Sequence, residues 1–129
     1  MRMKQVSVFV ENRPGRLKVV LEALSRADIN IRALSIADTA DFGIVRMILS
    51  DTEKGLEAIR SAGFAASTND VLRVEVKDRP GGLLKAVAEP LAAAGINLEY
   101  VYAFADRPLE NAVVVLKVGD IDAAEKLIG

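Results

Sequence analysis

The chain has 129 residues, 51% of them apolar, with 17 Lys and Arg against 18 Asp and Glu. The apolar content excludes a disordered chain, and the balanced charge offers no basic excess to attract nucleic acid or an anionic membrane. His and Cys are both missing, which removes the commonest acid–base group, the thiolate nucleophile and the usual zinc ligands. No apolar run reaches the length of a membrane span, and residues 1–4 lead directly into a strand-like segment. These features predict a cytoplasmic protein without a metal site or cofactor.

The first half of the chain predicts the element order βαββαβ. Alternating valines at residues 5–11 indicate a half-buried strand. Apolar residues at helical spacing after Pro14 indicate a surface helix that ends at Ala27 and Asp28. The remaining elements are, in order, a strand at 31–37, a turn at 38–43, a strand at 44–49, a helix capped by Asp51 and ended by Gly63, and a strand at 64–68.

The second half repeats this order but stops one strand early. Its elements are a strand at 71–76, a helix at 81–94, a strand at 98–104, a turn at 105–111, a strand at 112–118 and a helix at 121–128. The long helix has one residue more than its counterpart and contains Pro90, which together predict one local bulge. We therefore divide the chain into repeats 1–69 and 70–129, the second truncated at its end. The missing strand would leave 71–76 as an unpaired edge.

One stretch occurs at the same place in both repeats: Glu11-Asn12-Arg13-Pro14-Gly15 and Lys77-Asp78-Arg79-Pro80-Gly81. Pro suits the first turn of a helix, Asn12 and Asp78 are good N-caps, and the two glycines let a ligand approach the backbone. A helix start of this kind can bind a carboxylate or phosphate. A capped turn without any ligand is the alternative, and the repetition of the stretch argues against it.

The third strand of each repeat is apolar on both faces. Val45, Met47 and Leu49 share one face while Ile44 and Ile48 lie on the other, and residues 112–118 are apolar except for Lys117. A sheet with water on one side should alternate instead. This pattern predicts that a second copy of the chain covers the helix-free face, as a homodimer or higher homo-oligomer.

These repeats resemble a tandem pair of ACT domains, which are small regulatory modules that bind amino acids. The resemblance is carried by Arg-Pro-Gly-x-Leu followed about 12 residues later by Ile-Asn and an apolar residue, and it covers nearly the whole chain. It implies an α+β fold in which two ferredoxin-like βαββαβ repeats share one antiparallel sheet with helices on one face, the second repeat lacking its last strand. Residues 33–43 further resemble stand-alone ACT proteins that carry no attached enzyme.

The resemblance also implies where a ligand binds. ACT units often pair through their second strands, so that the turn of one faces the second strand of the other. The implied ligand-binding residues are Asn12, Arg13, Pro14, Gly15, Arg16, Leu17, Asn30, Ile31, Asp78, Arg79, Pro80, Gly81, Gly82, Leu83, Asn97 and Leu98. Backbone N–H groups would hold the carboxylate of a free amino acid, and Asn or Asp side chains its ammonium.

The preferred function is a non-enzymatic amino-acid sensor with a regulatory role in amino-acid metabolism and a metabolic enzyme as a further partner. An interaction module of the same fold without a ligand is the alternative, and an enzyme ranks third because fold does not settle function. Asp38 and Asp41 are interpreted as turn formers, not as catalytic carboxylates. Tyr100, Tyr102 and Phe104 share one strand face and are predicted to belong to the core.

Overall fold

The computed structural model describes residues 1–38, 41–104 and 111–128. Within these ranges it contains six strands, four α-helices and one π-helical turn. They are β1 (Arg2–Glu11), α1 (Arg16–Arg26), β2 (Ile31–Asp38), β3 (Phe42–Leu49), α2 (Thr52–Ser61), β4 (Ala66–Lys77), the π-helical turn (Leu84–Ala88), α3 (Glu89–Ala93), β5 (Leu98–Ala103), β6 (Asn111–Val118) and α4 (Ile121–Ile128). The strands form one antiparallel sheet in the order β2-β3-β1-β4-β6-β5. The fold class predicted from the sequence is confirmed.

The strand order corrects the expectation that the two repeats pair through their second strands. β2 and β5 stand at the two ends of the strand order, so they do not pair with each other. Each pairs with the third strand of its own repeat, β2 with β3 and β5 with β6. The first strands, β1 with 10 residues and β4 with 12, stand in the middle of the order.

Residues 64–68 and 71–76 were predicted as two strands, and this is the second correction. They fall largely within one continuous strand, β4. No Gly or Pro interrupts the chain between Thr68 and Val71, so nothing forces a turn there. The amide of the fully buried Gln5 donates to Asn69 Oδ1 at 3.1 Å, which helps to hold this part of the chain extended.

Contacts divide the chain into two compact units, each with its own core. The N-terminal unit comprises Lys4–Asn69. Its strands β1 and β3 pair with Val6 opposite Met47 and Val8 opposite Val45, and the helices α1 and α2 cover that face. The buried cluster contains Val6, Val8, Val10, Val20, Leu24, Ile29, Val45, Met47, Leu49, Leu56, Ile59 and Phe64. The alternation predicted for residues 5–11 and the helical stripe after Pro14 both point into this core.

The C-terminal unit comprises Met1–Met3 together with Asp70–Gly129. Its buried cluster contains Leu72, Val74, Val76, Val87, Leu91, Val114, Leu116, Val118 and Ala124. The bulge predicted near Pro90 is confirmed: Leu84–Ala88 is π-helical, and the N–H of Glu89 bonds to the carbonyl of Leu84, five residues earlier. A π turn accommodates one extra residue, and Pro90 then begins α3, where its missing N–H costs little.

The first residues of the chain complete the sheet of the C-terminal unit. The Met1 ammonium donates to the carbonyl oxygen of Arg73 at 3.0 Å, and the Arg73 N–H donates to Met1 at 2.7 Å. Arg2 binds Asp122 at 2.5 Å and Glu125 at 3.2 Å. The hydrogen bond to Asp122 is the main cause that raises the pKa of the Arg2 guanidinium. The expected bare edge at 71–76 is wrong, because these residues belong to β4, which lies between β1 and β6 in the strand order.

The helix-free face is already partly buried in a single chain. Ile48, Val113 and Val115 are at most 7% exposed, so their burial requires no second copy. Tyr100 and Tyr102 share this face and stack with ring centroids 6.4 Å apart. They are half-buried and lie outside the core clusters, which corrects their assignment to the core. The homodimer stays a prediction.

The predicted turns at 38–43 and 105–111 lie partly outside the described residues. Within the described ranges, no helix has the length and apolar character needed to cross a membrane.

Candidate functional site

The two Arg-Pro-Gly turns have the same backbone conformation. Gly15 and Gly81 have φ angles of 85° and 81°, a left-handed conformation that glycine adopts without the usual steric cost. In each turn the N–H four residues later bonds to the glycine carbonyl, from Val19 to Gly15 at 3.3 Å and from Lys85 to Gly81 at 3.0 Å. Residues of the two turns can therefore be compared place by place.

The predicted N-caps are wrong. Helix α1 begins at Arg16, so Gly15 is its N-cap and no side chain caps it. Asn12 lies three residues earlier, and its N–H bonds to the carbonyl of Asp41 at 2.9 Å. Asp78 lies equally far from the helical residues of its own repeat, in a bend. A left-handed glycine directly precedes each helix. Asn12, Asp78 and the two prolines therefore lie before the first helical residue.

Gly82 is required for a different reason than Gly81. It is buried, and a Cβ atom built on it would lie 1.9 Å from the carbonyl oxygen of Lys77. The turn after β4 thus folds directly onto the end of that strand. The same place in the first repeat is occupied by Arg16, so the two turns differ in the space that they leave.

A cavity of about 510 Å³ opens at the second turn. Its volume lies within the range of small-molecule sites. The described residues that line it come from the end of β4, the turn, the start of the following helix and the start of β6: Glu75, Val76, Lys77, Arg79, Pro80, Gly81, Gly82, Lys85, Ala86 and Asn111. Four of the six predicted residues at 78–83, namely Arg79, Pro80, Gly81 and Gly82, therefore line this cavity.

The cavity is rich in positive charge. Lys77, Arg79 and Lys85 line it and are exposed, and none of them forms an ion pair with another described residue. Glu75 is the acidic residue among the described lining residues, and its carboxylate lies 3.7 Å from Arg73 Nη1. An anionic group would be attracted to this cavity.

One polar atom in the cavity wall has no partner. Asn111 Oδ1 is shielded from solvent and accepts no hydrogen bond from the described residues. A buried carbonyl oxygen without a partner costs free energy. Asn111 pairs with Lys77 across the β4–β6 ladder, and its amide oxygen, which has almost no exposed surface, can accept an N–H from a ligand only if the side chain turns toward the cavity.

At the first turn, side chains occupy the corresponding space. Glu11 binds the guanidinium of Arg13 and lies 3.7 Å from Arg16 Nε. The Arg16 guanidinium stacks over the Phe64 ring, 4.9 Å from its centroid. The Nε atom of Arg16 is buried without a hydrogen-bond acceptor. At the first turn the two arginines therefore share one carboxylate, whereas the three cations at the second turn form no ion pair with another described residue.

The remaining predicted residues lie at the other end of the helices. Asn30 and Ile31 follow α1, whose 11 residues span roughly 16 Å, and they line a cleft of about 470 Å³. Asn97 lines a similar cleft of about 470 Å³ after α3. The backbone N–H groups of Ser50 and Gly119 bond to the carbonyls of Asn30 and Asn97, each at 2.9 Å. Within one unit, the asparagines and the turn are not brought together.

The cavity residues that sequence reasoning missed are Glu75, Val76, Lys77, Lys85, Ala86 and Asn111. The sequence feature that could have identified Lys85 is its position four residues after Gly81, one helical turn into the following segment. Asn111 has no local signal, because it reaches the cavity only through strand pairing. The described part of the chain contains no group of three or more acidic residues placed to hold a metal ion.

The comparisons with known proteins agree with this architecture. A family model described as an ACT domain pair matches residues 1–128. A solved structure of a protein from Bacteroides thetaiotaomicron is 39% identical with a TM-score of 0.90, and the match covers 98% of this chain and 86% of that one. A search of curated proteins finds no match.

Two further structures are regulatory subunits of aspartate kinase. The ligand-free subunit from Thermus thermophilus is 16% identical with a TM-score of 0.72, covering 97% of this chain and 87% of that one. The subunit from Thermus flavus is 18% identical with a TM-score of 0.68, covering 99% and 91%. At this identity the likeness establishes a common fold. The family model matches nearly the full length of the chain, which therefore belongs to the ACT domain pair family.

Proposed function

We propose that this protein is a non-enzymatic sensor that binds a free amino acid at the turn of its C-terminal unit. The observation that carries the proposal is the cavity beside Gly81 and Gly82, with the unpartnered Asn111 Oδ1 in its wall. Binding there would regulate a process in amino-acid metabolism. The regulatory aspartate kinase subunits of the same fold support this role.

A zwitterion complements the two kinds of group in the cavity. Its carboxylate is attracted by Lys77, Arg79 and Lys85, and its ammonium can donate to Asn111 Oδ1. Pairing that oxygen with a ligand removes the cost of leaving it unsatisfied. Gly82 holds the turn against the end of β4, where a Cβ atom would lie 1.9 Å from the carbonyl oxygen of Lys77.

We infer one ligand per chain. At the first turn Arg16 stands where the second turn has Gly82, and Glu11 forms ion pairs with Arg13 and Arg16. The residues implied at the first turn, together with Asn30 and Asn97, stay predictions from the resemblance.

Thermal unfolding with each of the twenty amino acids, followed by calorimetry on any that stabilise, tests the proposal. A ligand at about 100 times its Kd should add roughly 2.7 kcal/mol to the free energy of unfolding. Asn111→Ala should abolish the stabilisation, whereas Asn97→Ala should retain it. If no amino acid raises the melting temperature at tens of millimolar, the sensor is refuted.

The alternative, an interaction module, is favoured by a separate observation. Phe9, Ile36 and Phe42 are 50 to 53% exposed in the N-terminal unit, and Phe9 and Phe42 project from adjacent strands of one ladder. Exposed apolar surface of this kind marks contact sites. We propose that it serves self-association into a homodimer, in addition to ligand binding. Sedimentation at about 100 μM should show a dimer, and the double variant Phe9→Ser, Phe42→Ser should shift it toward the monomer.

A further inference from the structure

The cavity at the second turn carries more positive charge than a single carboxylate requires. Lys77, Arg79 and Lys85 are three cations without ion pairs to described residues, and the carboxylate of Glu75 is already near Arg73. One α-carboxylate would neutralise one of the three. Like charges around one cavity repel one another, and an anion bound there would reduce this repulsion.

The first repeat shows that the fold itself does not need these charges. Glu11 stands where Lys77 does, because they pair with Phe42 and Asn111 in equivalent ladders. Val19 stands where Lys85 does, four residues after the turn glycine. The same backbone is therefore built without the two lysines. Their presence at the second turn is better explained by a ligand than by folding.

We propose that the cavity selects an amino acid whose side chain carries a second carboxylate. This inference rests on the proposed function and names the ligand class for the same site. Two carboxylates would be shared among Lys77, Arg79 and Lys85, and the ammonium would bond to Asn111 Oδ1. A cavity of about 510 Å³ is large enough for the longer acidic side chains.

The asparagine oxygen distinguishes this ligand from a simple anion. Asn111 Oδ1 is an acceptor, so it repels the oxygens of sulfate, phosphate or a plain dicarboxylate and attracts an ammonium. The combination of several cations with one unpartnered acceptor matches a molecule with net negative charge and one N–H donor group. Among amino acids, that describes the acidic ones.

Calorimetric titration at low salt tests the selection directly, with L-glutamate, L-aspartate, L-glutamine, L-asparagine and succinate as probes. We expect glutamate or aspartate to bind at least about tenfold more tightly than its own amide, which is about 1.4 kcal/mol. Succinate should bind more weakly than the acidic amino acid because it lacks the ammonium. Since the lysines are exposed, added salt should reduce the preference for the acidic ligand.

Two matched variants separate the cavity from overall charge. Lys85→Gln removes one cavity cation, and Lys126→Gln removes an exposed cation of α4 in the same unit that does not line the cavity. Lys85→Gln should weaken binding of the acidic amino acid by about threefold or more, while Lys126→Gln should change it by less than about twofold. Circular dichroism of both variants verifies that the fold is intact.

The possible outcomes distinguish an error in the proposed ligand class from an error in the proposed sensor function. If a neutral amino acid binds and this binding is lost in Asn111→Ala, while the acidic ones do not bind, the ligand class is wrong and the sensor stands. If succinate binds as tightly as glutamate and aspartate, the role of the ammonium is refuted. Equal effects of the Lys85 and Lys126 variants would also overturn the inference. If no amino acid binds, both the inference and the sensor fall.

Discussion

Replacement of Gly82 by alanine tests how closely the second turn packs on its strand. The new Cβ would lie 1.9 Å from the carbonyl oxygen of Lys77, which also accepts the N–H of Arg79 at 2.9 Å. A carbon–oxygen contact needs about 3.3 Å, so the turn must move by more than 1 Å. Overpacking of this kind costs about 1–3 kcal/mol, and the loss of the Arg79 hydrogen bond adds about 1 kcal/mol.

We therefore expect Gly82→Ala to lower the free energy of unfolding by about 2–4 kcal/mol. For 129 residues, an unfolding entropy of about 2.1 cal/mol/K per residue converts each kcal/mol into a shift of about 4 °C. The melting temperature should fall by about 8–16 °C on that scale. Thermal and urea unfolding followed by circular dichroism measure both quantities.

Two other glycines provide controls for this prediction. A Cβ on Gly81 meets no atom within 4 Å, but its φ of 81° is left-handed, so Gly81→Ala should cost only about 1–2 kcal/mol. A Cβ on Gly43 would make ordinary contacts of 3.7 Å, and its replacement should be nearly neutral. If Gly82→Ala is no more destabilising than Gly81→Ala, the close approach to Lys77 is not rigid and the reasoning is wrong.

Three further predictions concern the N-terminus, the first turn and the core. Arg2→Ala should accelerate hydrogen exchange of the Arg73 amide, because it frees the N-terminal residues that cover it; a protection factor equal to that of the parent would contradict this. Arg16→Met should change the unfolding free energy by less than about 1 kcal/mol, since it loses a cation–π contact but removes a buried N–H without an acceptor. Urea titration measures this change. A loss of stability above about 2 kcal/mol would show instead that the Arg16 Nε atom stabilises the fold. Leu116→Ala should cost about 2–5 kcal/mol because this side chain is fully buried, whereas Leu127→Ala, 48% exposed, should cost much less; equal losses in urea unfolding would disprove the assigned core.

Much of the fold follows from local sequence patterns. The repeat and the core-facing residues of β1 and α1 are predicted because side-chain periodicity reports directly which face is buried. The element order is also predicted, except that 64–68 and 71–76 fall largely within one strand. The bulge before Pro90 is predictable because Pro inside a helix removes a hydrogen bond. The sequence also predicts that Asp51 caps α2, and the Asp51 side chain accepts the Lys54 N–H at 3.1 Å.

What the sequence left open depends on contacts between residues distant along the chain. Only strand pairing decides that Met1 completes the sheet beside Arg73, 72 residues away, and that Asn111 stands opposite Lys77 at the cavity. The difference between the two turns also depends on a distant contact, because the Arg16 guanidinium stacks on the ring of Phe64, which follows α2. Local patterns indicate which face of a strand or helix is buried, whereas the choice of partner across a sheet minimises the free energy of the whole chain and is fixed only in the tertiary structure.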